Sequence, residues 1–221
     1  MPWTDTYAPT RSSDILAQSG AVRSLRAWLQ TWLHGSPGNK RCALLSGGPG
    51  VGKTTTARLV AHECGFDVVE LNASDARSKR ALSDAVSELL SNRTISAFYG
   101  ARRMPLLLME EVDGMSGSDR GGLAELVQLA KRTKVPIVCT CNDRQRVKPL
   151  LAQSLDLKFA GADPDTAAQH IANVMCRDEG LSVESVRRAL ATANGDIRHT
   201  LNVLEGSAAG KDRTLDPFAC A

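Results

Sequence analysis

The sequence predicts an α/β fold, with a parallel sheet covered by helices, followed by a small helical domain. Short runs of almost wholly apolar residues alternate along the chain with segments of helical periodicity. A strand that is apolar on both faces is typical of a parallel sheet with helices packed on either side. After residue 159 the strand pattern stops and only helical patterns follow. A sheet domain and a helical domain are therefore expected, in that order.

Five strands are expected in the first domain. They are predicted at residues 42–45, 68–71, 106–109, 135–141 and 155–159. Residues 54–64 have helical character and end at Gly65, a residue suited to the left-handed turn after a helix. Two further helix faces are indicated by apolar residues spaced three or four apart, from residue 82 to 90 and from 123 to 130.

The helical domain begins after a cluster of helix-breaking residues at 161–164. Asp163 suits the capping position and Pro164 the first helical position. Three helices are expected, at about 164–179, at about 182–193 after the cap Ser182, and at about 196–208 after the cap Asp196. We therefore expect an α/β domain at 1–162, a helical lid domain at 163–209 and the start of a linker at 210–221.

The composition excludes several classes of protein. With 221 residues, 43% hydrophobic and 23% charged, the chain is unlike a disordered one. It has no apolar run near the ~20 residues that span a bilayer, and no signal-peptide pattern. Its six cysteines are too sparse for a disulfide framework and poorly spaced for zinc, so a soluble protein of a reducing compartment is expected. The net charge of +3 neither requires nor excludes a nucleic acid partner.

A glycine-rich loop follows the first predicted strand. Residues 47–54, GGPGVGKT, fit the pattern G-x-x-x-x-G-K-[ST] of a phosphate-binding loop. Glycines let backbone N–H groups converge on phosphate oxygens, and the following helix points its positive end at the anion. Lys53 would contact the phosphates and Thr54 would bind Mg²⁺. The expected nucleotide-binding residues of the loop are Gly48, Pro49, Gly50, Val51, Gly52, Lys53, Thr54 and Thr55.

Two acidic residues, Glu110 and Glu111, end the third predicted strand. Such a pair holds Mg²⁺ through the first acid and activates water through the second. The first acid is ordinarily Asp, and Glu110 carries its carboxylate about 1.5 Å further, one C–C bond. The pattern therefore predicts nucleotide and Mg²⁺ binding and leaves the rate of hydrolysis open. Asn142 ends the next strand, where it suits a group that orients water, although a turn residue is the commoner case there.

Several runs together resemble the AAA+ module of clamp loaders, and most closely the large-subunit class of replication factor C. The runs are GGPGVGKTTTA (47–57), ELNASDARSK (70–79), EEVDGMSGSDRGG (110–122), CNDR (141–144) and GDIRHTLN (195–202). The resemblance begins at Trp3 and extends to the KDRTLDPF stretch near residue 218. It implies a P-loop AAA+ sheet of five parallel strands followed by a three-helix lid.

The resemblance also implies roles for single residues. Glu111 would be the general base, Asn142 the first sensor and Arg198 the second sensor, which contacts the γ-phosphate. The residues implied near the adenine are Tyr7, Pro9, Ile15 and Leu16. Small subunits of this family carry an arginine finger, but Gln153 stands at that position here. The chain would therefore donate no finger, and its own site would need an arginine from a neighbouring subunit.

Two further contacts are expected outside the nucleotide site. Ile95, Phe98 and Tyr99 have the spacing of a one-turn helical anchor and resemble a peptide that binds the sliding clamp. The alternative is a helix end that fills the domain's own core, and the resemblance favours the clamp. Arg77, Lys79 and Arg80 follow a predicted helix start, where they suit a DNA backbone. The alternative is a solvated basic face.

The resemblance implies an ATPase that uses ATP and Mg²⁺ to load the sliding clamp (PCNA) onto primer–template DNA, together with four small subunits, in the nucleus. Two alternatives stay open: the large subunit of a checkpoint or cohesion clamp loader, and an ATP-binding scaffold with little hydrolysis. The chain length fits only the AAA+ lobe and its lid. We therefore expect either a fragment or a reduced version that lacks the collar.

Overall fold

Five parallel strands form one sheet, in the order β2-β3-β4-β1-β5, in the computed structural model of the chain. The structure describes residues 1–16, 18–73, 103–116 and 120–210. The strands are β1 (Cys42–Ser46), β2 (Phe66–Asn72), β3 (Met104–Glu110), β4 (Ile137–Cys141) and β5 (Ser154–Lys158). The predicted five-stranded parallel sheet is confirmed.

Eight α-helices lie in the described part of the chain. They are α1 (Trp3–Thr6), α2 (Ser19–Leu33), α3 (Lys53–Glu63), α4 (Arg120–Arg132), α5 (Lys148–Leu151), α6 (Pro164–Glu179), α7 (Val183–Thr192) and α8 (Ile197–Gly210). Helix α2 is not among the predicted elements, although Leu25, Trp28, Leu29 and Trp32 lie on its buried face. Their spacing of three or four residues is the signal that identifies it. None of the helices in these described segments has the length and apolarity to cross a membrane.

The central strands are buried on both faces. Every residue of β1 and β4 is buried, and so is β3 from its second to its sixth residue. Leu44, Leu107 and Cys139 pack with Leu126 of α4 in one hydrophobic cluster. Burial on both faces explains why these strands are continuous apolar runs in the sequence rather than alternating ones.

The strand register brings polar strand ends to one edge of the sheet. Ser46 pairs with Cys141, so the residue after β1 lies beside the residue after β4. Asn72 pairs with Glu110, at the ends of β2 and β3. The carboxyl edge of the sheet therefore gathers the phosphate loop, the acidic pair and Asn142, as is usual for ligand sites in open α/β sheets.

The described chain divides into two compact units. We call Arg11–Gly47 with Gly52–Phe159 the sheet unit. The helical unit comprises Met1–Thr10, Gly48–Val51 and the described residues from Ala160 onward. The sequence-based boundaries at 162 and 209 stay a prediction.

Within the helical unit, the three predicted helices begin at their predicted caps. Asp163 accepts a hydrogen bond of 2.9 Å from the backbone N–H of Thr166 at the start of α6. Ser182 accepts one of 3.1 Å from Ser185 at the start of α7. Asp196 accepts one of 2.9 Å from His199 in the first turn of α8. Each side chain satisfies a backbone donor that the first helical turn leaves without an intrahelical partner.

Some predicted features lie outside the described residues. These are the helix face at 82–90, the linker predicted at 210–221 except its first residue, the expected clamp-binding residues Ile95, Phe98 and Tyr99, and the expected DNA-binding residues Arg77, Lys79 and Arg80. The first linker residue, Gly210, is the last residue of α8.

Candidate nucleotide-binding site

The phosphate loop joins the end of β1 to the start of α3. Gly52, the residue before α3, has a φ of 88°, in the left-handed region that a side chain disfavours. Thr56 donates through both its backbone N–H (2.8 Å) and its hydroxyl (2.7 Å) to the Gly52 carbonyl, which fixes the first turn of the helix. Ile15, expected near the adenine, lies against Gly52. A Cβ atom added to Gly52 would stand 3.8 Å from the Cγ2 atom of Ile15.

Lys53 is the first residue of α3 and only 8% of its surface is exposed. Its Nζ donates to the carbonyl oxygen of Gly47 at 2.9 Å and to Oδ1 of Asn142 at 2.8 Å. A buried ammonium needs such partners to offset its lost hydration. Both of these acceptors are neutral oxygens, and the two contacts fix the direction of the ammonium group. Thr54 and Thr55 follow in the same turn and are half-buried.

The acidic pair stands where β3 ends and a short 3₁₀ helix, Val112–Ser116, begins. Glu111 has a φ of 55°, a left-handed conformation that costs a non-glycine residue about 1–3 kcal/mol. Its backbone N–H donates to the hydroxyl of Thr140 on β4 at 3.3 Å, and its side chain is exposed. Backbone strain of this kind is concentrated at functional sites, and the role of Glu111 as a base stays a prediction.

Glu110 faces a cation that the sequence did not indicate. Arg58, in the middle of α3, donates to both carboxylate oxygens of Glu70, at 2.6 Å from Nε and 2.7 Å from Nη2. The same Nη2 lies 4.0 Å from Oε1 of Glu110. The hydrogen bonds to Glu70 raise the pKa of Arg58, with a smaller contribution from Glu110, and Arg58 in turn lowers the pKa of Glu70.

Asn142 is held in place by Asp113, a residue that sequence reasoning missed. The Oδ2 atom of Asp113 accepts the backbone N–H groups of Asn142 at 3.2 Å and of Asp143 at 2.9 Å. The carboxylate thus ties the 3₁₀ helix after the acidic pair to the turn after β4. The only sequence signal for it is the acid two residues after Glu111, which local patterning cannot distinguish from a solvated turn residue.

The remaining predicted site residues lie in both units. Leu16, half-buried, and Gln153, in the turn before β5, belong to the sheet unit. Tyr7, Pro9 and Arg198 belong to the helical unit. Arg198 is an exposed residue of α8.

Tyr7 and the phosphate loop each contact the helices of the helical unit. The Tyr7 hydroxyl donates to Glu179 of α6 at 3.3 Å, and the Tyr7 ring stands edge-on to Trp3 with centroids 6.1 Å apart. Gly50 of the loop has a φ of 64°, and a Cβ placed there would stand 1.8 Å from Oδ1 of Asp196. Asp196, the cap of α8, therefore packs directly against the backbone of Gly50, within the helical unit.

The donor set suits a magnesium ion that is held largely by a nucleotide. Among the residues that the structure describes, no group of three or more His, Cys, Asp or Glu side chains could hold a metal. Mg²⁺ commonly takes one or two protein oxygens together with substrate phosphates and water, so a dedicated cage is not required. The Thr54 hydroxyl and the Glu110 carboxylate, oxygen donors on α3 and β3, fit that pattern.

Comparison with known proteins agrees with the motifs. Residues 43–160, more than half of the chain, match the family model for the ATPase family associated with various cellular activities (AAA). The chain is 40% identical over 231 residues to replication factor C subunit 1 of Drosophila melanogaster, covering 91% of this chain and 23% of that protein. It is 34% identical over 220 residues to the replication factor C large subunit of Thermofilum pendens, covering 96% of this chain and 51% of that one.

One solved structure supports the fold. The Orc1 protein of Aeropyrum pernix, in a complex with DNA, matches with a TM-score of 0.67 and 20% identity, covering 96% of this chain and 64% of that one. The chain spans less than two thirds of the length of the two relatives above. The expected resemblance to replication factor C large subunits is confirmed, and the chain belongs to the AAA family of ATPases.

Proposed function

We propose that this chain is the ATP-binding module of a clamp-loader large subunit, which uses ATP to load the sliding clamp PCNA onto primer–template DNA. The observation that carries the proposal is the contact between Lys53 and Asn142. It lies at the carboxyl edge of the sheet, where the acidic pair also stands. The similarity to replication factor C large subunits over most of the chain supports it. Four small subunits would complete a heteropentamer, and the complex would act in the nucleus.

In this proposal the residues of the sheet unit bind and orient the reactants. Lys53 binds the phosphates as a point charge, and Thr54 and Glu110 hold Mg²⁺, which when bound would neutralise charge on the phosphates. Glu111 accepts a proton from the attacking water, and Asn142 orients that water. Arg198 is proposed as the second sensor on the strength of the resemblance. Because Gln153 replaces the family's finger, an arginine from a small subunit is needed for fast hydrolysis.

Nucleotide binding is the first test. A fluorescent ATP analogue should bind the chain, and Lys53→Ala should weaken binding at least about tenfold, since a charge-assisted contact to phosphate is lost. Lys40→Ala is the matched control, because Lys40 is an exposed lysine before β1 that contributes only its backbone carbonyl to Trp28. Equal affinities for the two variants would contradict the proposed site.

Turnover is the second test. In a complex reconstituted with four small subunits, ATP hydrolysis should be stimulated by clamp and primer–template DNA, and Glu111→Gln should abolish the contribution of this site. An ATP-binding scaffold is the second candidate function, and the proximity of Glu110 to Arg58 favours it. Equal turnover by wild type and Glu111→Gln would establish the scaffold.

Clamp contact is tested separately. In a pull-down with PCNA, the double variant Phe98→Ala with Tyr99→Ala should lose binding because two aromatic anchors are removed. Unchanged capture would refute the clamp contact.

A further inference from the structure

Arg58 stands between two carboxylates on the same face of the sheet. Strands β2 and β3 run parallel, with Glu70 opposite Leu108 and Asn72 opposite Glu110. Side chains two residues apart along a strand point to the same face, so Glu70 and Glu110 are diagonal neighbours on one face. Helix α3 packs on both strands and carries Arg58.

The guanidinium is anchored on the Glu70 side. Two parallel hydrogen bonds, of 2.6 and 2.7 Å, join Arg58 to Glu70 in the fork geometry that fixes an arginine most firmly. One nitrogen of that fork lies 4.0 Å from the carboxylate of Glu110. The side chains of Arg58 and Glu110 are 45% and 29% exposed, so the attraction is screened by water but not abolished.

The length of Glu110 favours this pair. An aspartate at the same position would end about 1.5 Å, one C–C bond, closer to the strand. The longer side chain has the reach to approach Arg58. A carboxylate attracted to a fixed cation is correspondingly less available to a metal.

We propose that Arg58 is a positioning residue that holds the Glu110 carboxylate toward β2 and thereby weakens its hold on the divalent cation of the nucleotide site. The inference rests on the proposed function, since it concerns the metal that would accompany ATP. It assigns part of the metal affinity of this site to a residue of α3, outside the acidic pair.

The test measures how strongly metal and nucleotide binding are coupled, not turnover. The dissociation constant of a fluorescent, non-hydrolysable ATP analogue is measured in EDTA and in Mn²⁺, and the ratio of the two is the coupling factor. Arg58→Ala should raise this factor about twofold to fivefold, the range of a partly exposed ion pair. The factor is the constant in EDTA divided by the constant in Mn²⁺, so any direct effect of the lost charge on nucleotide affinity cancels.

Three further variants make the result specific. In a Glu110→Gln background, Arg58→Ala should leave the factor unchanged, because no carboxylate is left to release. Glu70→Gln should lower the factor, because a guanidinium freed from Glu70 pairs more fully with Glu110. Arg26→Ala, which removes an equal charge from a pair with Glu63 of the same helix α3, should have no effect.

Each outcome decides the inference. An unchanged factor in Arg58→Ala, or an equal rise in the Glu110→Gln background, overturns it while the proposed function stands. If Arg58→Ala fails to fold, Glu70→Gln carries the test, and a factor that does not fall overturns the inference. Failure of the wild-type chain to bind the analogue in either buffer overturns the proposed function itself.

Discussion

The Nζ atom of Lys53 donates a 2.8 Å hydrogen bond to Oδ1 of Asn142, and this contact joins the helix after the phosphate loop to the end of β4. The pairing of Ser46 with Cys141 in the sheet brings the two residues together, although they are far apart in sequence. The contact places a neutral acceptor beside a buried cation. It gives Asn142 two possible roles, one in holding Lys53 and one toward a bound nucleotide.

The first prediction concerns the charge of the Lys53 partner. Asn142→Asp puts a carboxylate beside Lys53, and the resulting ion pair competes with phosphate for the ammonium. We expect nucleotide affinity to fall at least about tenfold, and to fall less in Asn142→Ala, which removes the acceptor without adding a charge. Titration with a fluorescent ATP analogue measures both. Equal affinities for the two variants would mean that Lys53 is not held by this residue.

The second prediction concerns Asp113. Asp113→Ala should lower the free energy of unfolding by about 1–3 kcal/mol, because two backbone donors lose a charged acceptor. Asp113→Asn keeps a side-chain oxygen that can accept them and should lose less. Urea unfolding of the three proteins gives the comparison. The same loss in both variants would show that the acceptor does not matter and only the packing does.

The third prediction concerns the contact of Gly50 with Asp196. Gly50→Ala should cost about 1–2 kcal/mol in left-handed strain alone, with a further loss from the overlap with the Asp196 carboxylate. Combining it with Asp196→Ser, which keeps a capping oxygen on a shorter side chain, should cost less than the sum of the single changes.

Gly20→Ala is the matched control for this pair. Gly20 lies in the first turn of α2 with open space around it, so an alanine there should be neutral or stabilising. Thermal unfolding of all four variants measures the coupling. Strict additivity of Gly50→Ala and Asp196→Ser would show that the two residues do not contact one another in solution.

The fourth prediction concerns pH and the thiol of Cys141, which is 1% exposed at the end of β4. Burial, and next the charge of Asp113, raises the pKa of Cys141 to about 11 from its ordinary value of 9.0. At pH 8 its thiolate should be about a hundredfold scarcer than that of a free cysteine. Alkylation followed by peptide mass spectrometry should therefore label Cys141 far more slowly in the native protein than in urea.

The same shift gives a stability effect of known sign. A thiol whose pKa is raised by folding favours the folded state below its unfolded pKa, and that advantage disappears as pH rises from about 9 toward 11. Wild type should therefore lose more stability over this interval than Cys141→Ala does. Parallel urea titrations at pH 8 and pH 10.5 test it, and equal losses would contradict the shift.

The sequence by itself determined the elements whose causes are local. Apolar runs defined β1, β3 and β4, because a strand buried on both faces must be apolar throughout. Capping residues set the starts of the three C-terminal helices, since Asp163 satisfies backbone N–H groups only three residues away. The limits of the strands differ from the prediction by at most two residues at either end. β4 begins at Ile137, after Pro136, whereas β3 begins at Met104 and includes Pro105, so a proline alone does not set where a strand starts.

Only the tertiary structure decided which side chains meet. The strand order β2-β3-β4-β1-β5 places Asn142 beside Lys53. The hydrophobic pattern of the sequence locates the strands but does not reveal their order in the sheet. Arg58 reaches Glu70 and Glu110 because α3 packs across β2 and β3, and Asp113 reaches the turn after β4 because β3 and β4 are neighbours. These contacts depend on register and packing between distant segments. A local pattern therefore identified the phosphate loop and the acidic pair, while the groups that position them required the folded sheet.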